Sequence, residues 1–135
     1  MDGIKLTHLN EIFNENGTIF HIIKSSDKEF SNFGEAYFSS VNKDSIKGWK
    51  KHKKMILNLA VVVGEIQFVI FNPNINKFFE VKLSKDNYKR LTIKNGMWVA
   101  FRGMKKNNIL INIASIEHDP SESENMNLDI IKYKW

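Results

Sequence analysis

The apolar runs of this chain are short, and turn signals interrupt them at fairly even intervals. That pattern rules out most helical folds before any single residue is considered. Asn-Gly pairs stand at Asn16-Gly17 and Asn95-Gly96, a proline loop runs through Asn72-Pro73-Asn74, and polar turns occupy residues 42–45 and 105–108. Asn-Gly between apolar runs is a strong hairpin signal, because both residues tolerate positive φ. The intervening runs are rich in Val, Ile and Phe and show almost no helical period. Strands are expected over residues 17–24, 33–41, 46–63, 65–71, 78–83, 97–102 and 109–116. Residues 84–89 offer one helical turn capped by Ser84. Seven to nine short strands of this kind predict an all-β sandwich or barrel.

The most informative segment is residues 47–65. It passes from a glycine turn through five lysines and His52 into the most apolar run of the chain, then ends at Gly64. The run is far short of the roughly 20 apolar residues a bilayer requires. Read as one strand, it puts Lys50, His52, Lys54, Ile56, Asn58, Ala60 and Val62 on one face, and Lys51, Lys53, Met55, Leu57, Leu59, Val61 and Val63 on the other. The second face is core beyond Lys53. The first is mixed, and an asparagine within it needs partners or water. A barrel interior with a polar pocket has this look, and so has a structural amide satisfied by its neighbours.

His52 is the best single candidate for proton transfer. Neighbouring lysines disfavour a second positive charge and so favour the neutral, base-competent imidazole. The same lysines would stabilise an enolate or a diphosphate. A surface histidine in a solvated basic turn is the plainer reading. His118 and Asp119 form a second polar pair before Pro120, where a turn-capping role is expected. His8 and His21 have no such company.

A length of 135 residues suits one domain with a single filled core. The net charge of +5 favours anionic partners, whether nucleic acid, anionic lipid or phosphorylated metabolites, and does not choose among them. There is no cysteine, hence no disulfide and no thiolate metal site. A histidine-based metal site would need a second histidine two residues away, and positions 50 and 54 are both lysine. The first residues show no basic-then-apolar leader, so a cytoplasmic protein with no membrane partner is expected. The lysine run could contact nucleic acid, with Trp49, Trp98, Tyr37 or Phe38 for stacking. Core burial explains those aromatics better. Phosphate-cradling glycine loops and nucleophile elbows are absent.

Several short motifs follow one another in a familiar order. They are Phe33-Gly34-Glu35, Tyr37-Phe38-Ser39, Lys47-Gly48-Trp49, Val63-Gly64-Glu65-Ile66 and Leu83-Ser84 with Asn87-Tyr88. Leu91-Thr92-Ile93, Gly96-Met97-Trp98, Phe101 and His118-Asp119-Pro120 with Glu122 continue the series. Together they resemble the dTDP-4-dehydrorhamnose 3,5-epimerase family over residues 30–135. The resemblance implies a cupin-type jelly roll (a double-stranded β-helix) over residues 1–135, a homodimer, and catalysis without metal or cofactor. Members abstract protons beside the 4-keto group of a nucleotide-linked 6-deoxyhexose. A histidine in an Arg-Gly-x-His motif is the base, a lysine stabilises the enolate, and a tyrosine is the acid.

This chain departs from that pattern. Lys50 stands where the motif histidine belongs, and the acid tyrosine aligns near Asn112. Related sugar-nucleotide 3,4-ketoisomerases carry Arg-Gly-x-His-x-His, and His52 falls on the second histidine. The resemblance therefore implies an epimerase or isomerase of a nucleotide-diphosphate-linked 4-keto-6-deoxyhexose. His52 is then the base and Lys50 or Lys54 the enolate-stabilising cation. Asn58 and Asn112 are pocket polar groups, and Glu35, Lys47, Trp98, Arg102 and His118 are expected substrate contacts. Two other classes stay open: a sugar-nucleotide-binding cupin without catalysis, and a basic nucleic-acid module.

Overall fold

A computed structural model describes residues 1–135. In chain order the strands are β1 (Ile4–His8), β2 (Glu11–Ile12), β3 (Ile19–Phe20), β4 (Glu35–Ser40), β5 (Ile46–His52) and β6 (Leu57–Val63). They continue with β7 (Glu65–Asn72), β8 (Lys77–Ser84), β9 (Lys89–Ile93), β10 (Trp98–Gly103), β11 (Ile109–Ala114) and β12 (Ser123–Asn125). The only helical turn is a 3₁₀ segment, Pro120–Glu122. No helix is long and apolar enough to cross a membrane.

Two five-stranded antiparallel sheets form a sandwich with the jelly-roll arrangement of cupins. The first has the order β1-β9-β6-β11-β4 and the second β12-β5-β10-β7-β8, while β2 and β3 make a small separate hairpin. Alternate residues of β6, β7, β10 and β11 meet between the sheets. Leu57, Leu59, Val61, Ile66, Phe68, Ile70, Val99, Leu110 and Ala114 are all buried there.

Three expectations need correction. The run 46–63 is not one strand: β5 belongs to the second sheet and β6 to the first. The chain crosses between sheets over residues 53–56, where the amides of residues 54–56 turn to side-chain acceptors. Ser115 Oγ accepts from the Ile56 amide at 2.8 Å, and the Glu122 carboxylate accepts from those of Lys54 and Met55. The crossing breaks the two-residue alternation, so the face that carries Lys50 and His52 in β5 does not continue into Asn58. Residues 84–89 are a turn rather than a helix. Ser84 Oγ does accept the Asn87 amide as a cap would, but Lys89 is already in the next strand. Of residues 17–24 only Ile19 and Phe20 are extended.

Each sheet is also covered over part of its outer side, the first at its β9 end and the second around Trp49. Arg90, 1% exposed, anchors residues 22–29 against the first sheet. Its Nη1 donates to the Ile22 carbonyl at 2.7 Å and to Asp27 at 3.2 Å, and its Nη2 donates to Glu29 at 3.0 Å. A buried guanidinium is tolerated only with such pairing. On the second sheet, Trp49, Val69, Trp98 and Ala100 form an outer apolar cluster covered by Met126, Ile131, Tyr133 and Trp135.

Candidate active site

Between the sheets lies a cavity of about 260 Å³. Tyr37 and Ser39 line it from β4, and Lys47, Gly48, Lys50 and His52 from β5. Leu57, Leu59, Val99, Phe101 and Leu110 close its floor, and Asn125 stands at its rim. The volume lies below the roughly 300–1,000 Å³ of sites that enclose drug-sized ligands. It has room for one sugar-sized group, so a nucleotide attached to that sugar would extend past the rim.

The lining is asymmetric. Every basic group comes from β5, where alternation sends Lys50 and His52 inward and Trp49 and Lys51 outward. Lys51 and Lys53 are taken up by Glu124 of β12, with Lys51 at 2.9 Å. Lys50 pairs with no carboxylate and lines the cavity.

Glu122 holds His52 from behind. Asp119 caps the 3₁₀ turn, its carboxylate accepting the Ser121 amide at 2.9 Å. Pro120 then sets the first position of the turn, which delivers Glu122 inward. The Glu122 carboxylate, 3% exposed, accepts from His52 Nδ1 and from the amides of Lys54 at 3.0 Å and Met55 at 3.2 Å. Burial pushes this carboxyl up, but the imidazole and the two amides outweigh burial and hold it below the usual glutamate range. A carboxylate only accepts, so the shared proton belongs on Nδ1 and the basic Nε2 is left for the cavity.

Tyr37 faces the pair from the opposite sheet. Asn112, fully buried on β11, donates from Nδ2 to the Tyr37 hydroxyl at 3.0 Å. Its Oδ1 accepts the Asn58 amide at 3.1 Å, which fixes the orientation of the side-chain amide. Because the phenol oxygen already accepts from Asn112, its own proton is free to be donated into the cavity. Lys47 closes part of the rim, its Nζ donating to the Ser40 carbonyl at 2.7 Å and reaching Ser39 Oγ at 3.3 Å.

Of the residues expected from sequence, His52, Lys50 and Lys47 converge on this cavity, and Asn112 supports it through Tyr37. The others lie elsewhere. Lys54 is exposed beyond the end of β5, where the chain leaves the sheet. Asn58 points to the covered outer side of the first sheet, where it accepts from Thr92 Oγ1 at 2.6 Å. Trp98 belongs to the outer cluster, with the Lys51 ammonium 4.9 Å from its ring centre. Arg102, likewise outward on β10, donates to Asp44 at 2.9 Å. His118 is exposed on the turn before Asp119. Glu35 shares a face of β4 with Tyr37 and Ser39 but does not line the cavity. Reasoning from the 46–63 strand missed Glu122, Tyr37, Ser39 and Asn125. For Glu122, Tyr37 and Ser39 a signal existed, since all three stand in the motif series. No three His, Asp or Glu side chains converge as a metal site would require.

This jelly roll, with a carboxylate-oriented imidazole, a lysine and a tyrosine around its inter-sheet cavity, has the fold of the RmlC-like cupins. More narrowly, the chain belongs to the family described as FdtA: WxcM-like, C-terminal, whose model matches residues 2–132. It is similar to a dTDP sugar isomerase from Desulfovibrio desulfuricans G20, with 32% identity, a TM-score of 0.94, and coverage of 99% of this chain and 91% of that one. The sugar 3,4-ketoisomerase QdtA from Thermoanaerobacterium thermosaccharolyticum, solved with TDP, shares the fold at TM-score 0.82 and 21% identity, covering 96% and 92%. A dTDP-4-dehydrorhamnose 3,5-epimerase from Sulfolobus tokodaii does so at TM-score 0.87 and 20% identity, covering 98% and 82%. No match was found among curated proteins.

Proposed function

We propose that the protein is a metal-independent epimerase or isomerase of a nucleotide-diphosphate-linked 4-keto-6-deoxyhexose. The observation that carries this reading is the His52–Glu122 pair opening onto a cavity that also holds Lys50 and Tyr37. The 4-keto group acidifies the protons on neighbouring carbons. His52 Nε2 removes one of them, and Glu122 stabilises the imidazolium that forms. The electrons move onto the ketone oxygen, where the Lys50 ammonium stabilises the enolate. Lys54 is too far out to share this role.

Tyr37 stands on the opposite wall. Proton donation from it to the far face of the enolate carbon inverts that centre. Return of the C3 proton to C4, with the C3 hydroxyl proton passing to the C4 oxygen through the enediol, migrates the ketone instead. The apolar floor suits a 6-deoxy methyl group, and Lys47 with Lys50 suits a diphosphate at the rim. A homodimer fits the outer face of the first sheet, where Phe38 is 73% exposed beside Val62 and the outward isoleucines of β11.

The test follows the ring-proton signals of dTDP-linked 4-keto-6-deoxyhexoses in D₂O, with His52→Ala as control. Loss of the signal at C3 or C5 in wild type alone supports the proposal. Binding without exchange would leave a non-catalytic sugar-nucleotide cupin.

A further inference from the structure

β12 is a three-residue edge strand, yet it and the turn before it bring Glu122 to His52 and Asn125 to the cavity. So short an edge has little stability of its own. Its register against β5 pairs Ser123 with His52 and Asn125 with Lys50. Beyond it, Trp49 and Met126 exchange two backbone hydrogen bonds, at 3.0 and 3.1 Å. Residues 126–135 then cross the outer face of the second sheet. The Trp49 indole donates to the Leu128 carbonyl at 3.4 Å. Trp135 packs 6.1 Å from Trp49 and 5.1 Å from Tyr133, which packs 5.2 Å from Phe78. The Tyr133 hydroxyl donates to Glu80, which also accepts from Gln67 at 2.9 Å. Burial and the Glu80 carboxylate push this phenol up to about 12, so it stays protonated and bonded throughout the working pH range.

We infer that residues 126–135 are a strap whose fastening on the outer face of the second sheet positions the His52–Glu122 pair. Trp49 is the link: its indole takes the strap on one side of β5, while its neighbours Gly48 and Lys50 line the cavity on the other. With the Asp119-capped turn at one end and the aromatic anchor at the other, Glu122 has little freedom to swing from the imidazole. Tyr133 and Trp135 are positioning residues that touch no substrate. The kinetic side of this inference rests on His52 being the base; its structural side does not.

The test uses Trp135→Ala, Trp135→Phe and Tyr133→Phe in the full chain. The first readout is the downfield proton resonance of His52 Nδ1–H, identified by its loss in His52→Ala. In Trp135→Ala the resonance should broaden or vanish through exchange with water, while a cooperative melt persists. Turnover should fall about 10- to 100-fold with little change in KM, as a slight misplacement of a catalytic group requires. Trp135→Phe should restore both. Tyr133→Phe keeps the packing and removes only the bond to Glu80, so it carries the same readouts where Trp135→Ala does not fold. A lowered melting temperature with an unchanged resonance and unchanged turnover would overturn the strap. A perturbed resonance in a protein that turns over no 4-keto sugar would instead leave the strap standing and remove the proposed function.

Discussion

Replacing Glu122 by glutamine separates the orientation of His52 from its presence. In the native protein one carboxylate oxygen accepts from the imidazole and the other from two backbone amides, at 3.0 and 3.2 Å. A glutamine has one acceptor oxygen. Two buried N–H groups left unpaired would cost about 1–3 kcal/mol each, so the side chain turns its oxygen to Lys54 and Met55. Its NH₂ then faces Nδ1, which must become the acceptor. The proton moves to Nε2, and the nitrogen facing the cavity can no longer act as base. Enforcing the wrong tautomer in this way costs about 10⁴-fold in turnover in the serine-protease triad, or about 5 kcal/mol. The expected loss here is about 10³- to 10⁴-fold in kcat, with KM within a few-fold. Exchanging charge-assisted bonds for neutral ones should cost only about 1–2 kcal/mol of stability, a fall in Tm of roughly 4–7 °C. Proton exchange and calorimetry on the same preparation check both numbers. A Glu122→Gln protein that keeps more than about a tenth of wild-type turnover would refute the tautomer argument.

Other consequences follow from the same geometry. Lys50→Met keeps the length of the side chain and removes the charge, so kcat should fall by about 10²- to 10³-fold with little change in Tm; equal turnover would give the enolate charge to another group. Asn112→Leu strands the Asn58 amide and releases the Tyr37 hydroxyl, and should destabilise by about 1–3 kcal/mol while slowing product formation more than proton abstraction. In acid, the Glu122 carboxyl titrates below its ordinary 4.5. The stability it contributes is complete above pH 4.5 and is lost as pH falls through the lower folded value. Asp27, held down first by the Lys24 amide, and Glu29, held down first by Lys5, add losses of the same sign. Glu122→Gln should accordingly show a shallower decline of Tm from pH 6 to pH 3 than wild type, and parallel curves would deny the depressed carboxyl.

The sheets were largely legible in the sequence because turn chemistry is local. Asn95-Gly96 does turn the chain before β10, though it carries the chain from the first sheet to the second rather than closing a hairpin, and residues 105–108 do separate β10 from β11. The departure at 53–56 was not legible. Its amides are satisfied by Ser115 and Glu122, some sixty residues on, so nothing local marks the end of β5. That one crossing shifted the expected pocket wall from Leu57 and Leu59 to Asn58. Likewise Trp98 and Arg102 resemble ligand-binding residues by type, but the alternation of β10 turns both outward while Val99 and Phe101 face the cavity. His52 and Lys50 were legible because they stand two residues apart in one strand, past the irregularity between Lys47 and Lys50. Their partners Glu122 and Tyr37 come from other elements, and only the order of motifs gave any hint of them.

The most direct test of the central claim is chemical rescue. His52→Ala should bind the nucleotide sugar yet fail to exchange its ring proton, and added imidazole should restore exchange in proportion to the concentration of its neutral form. Exchange in His52→Ala at the wild-type rate, with no imidazole present, would contradict the account.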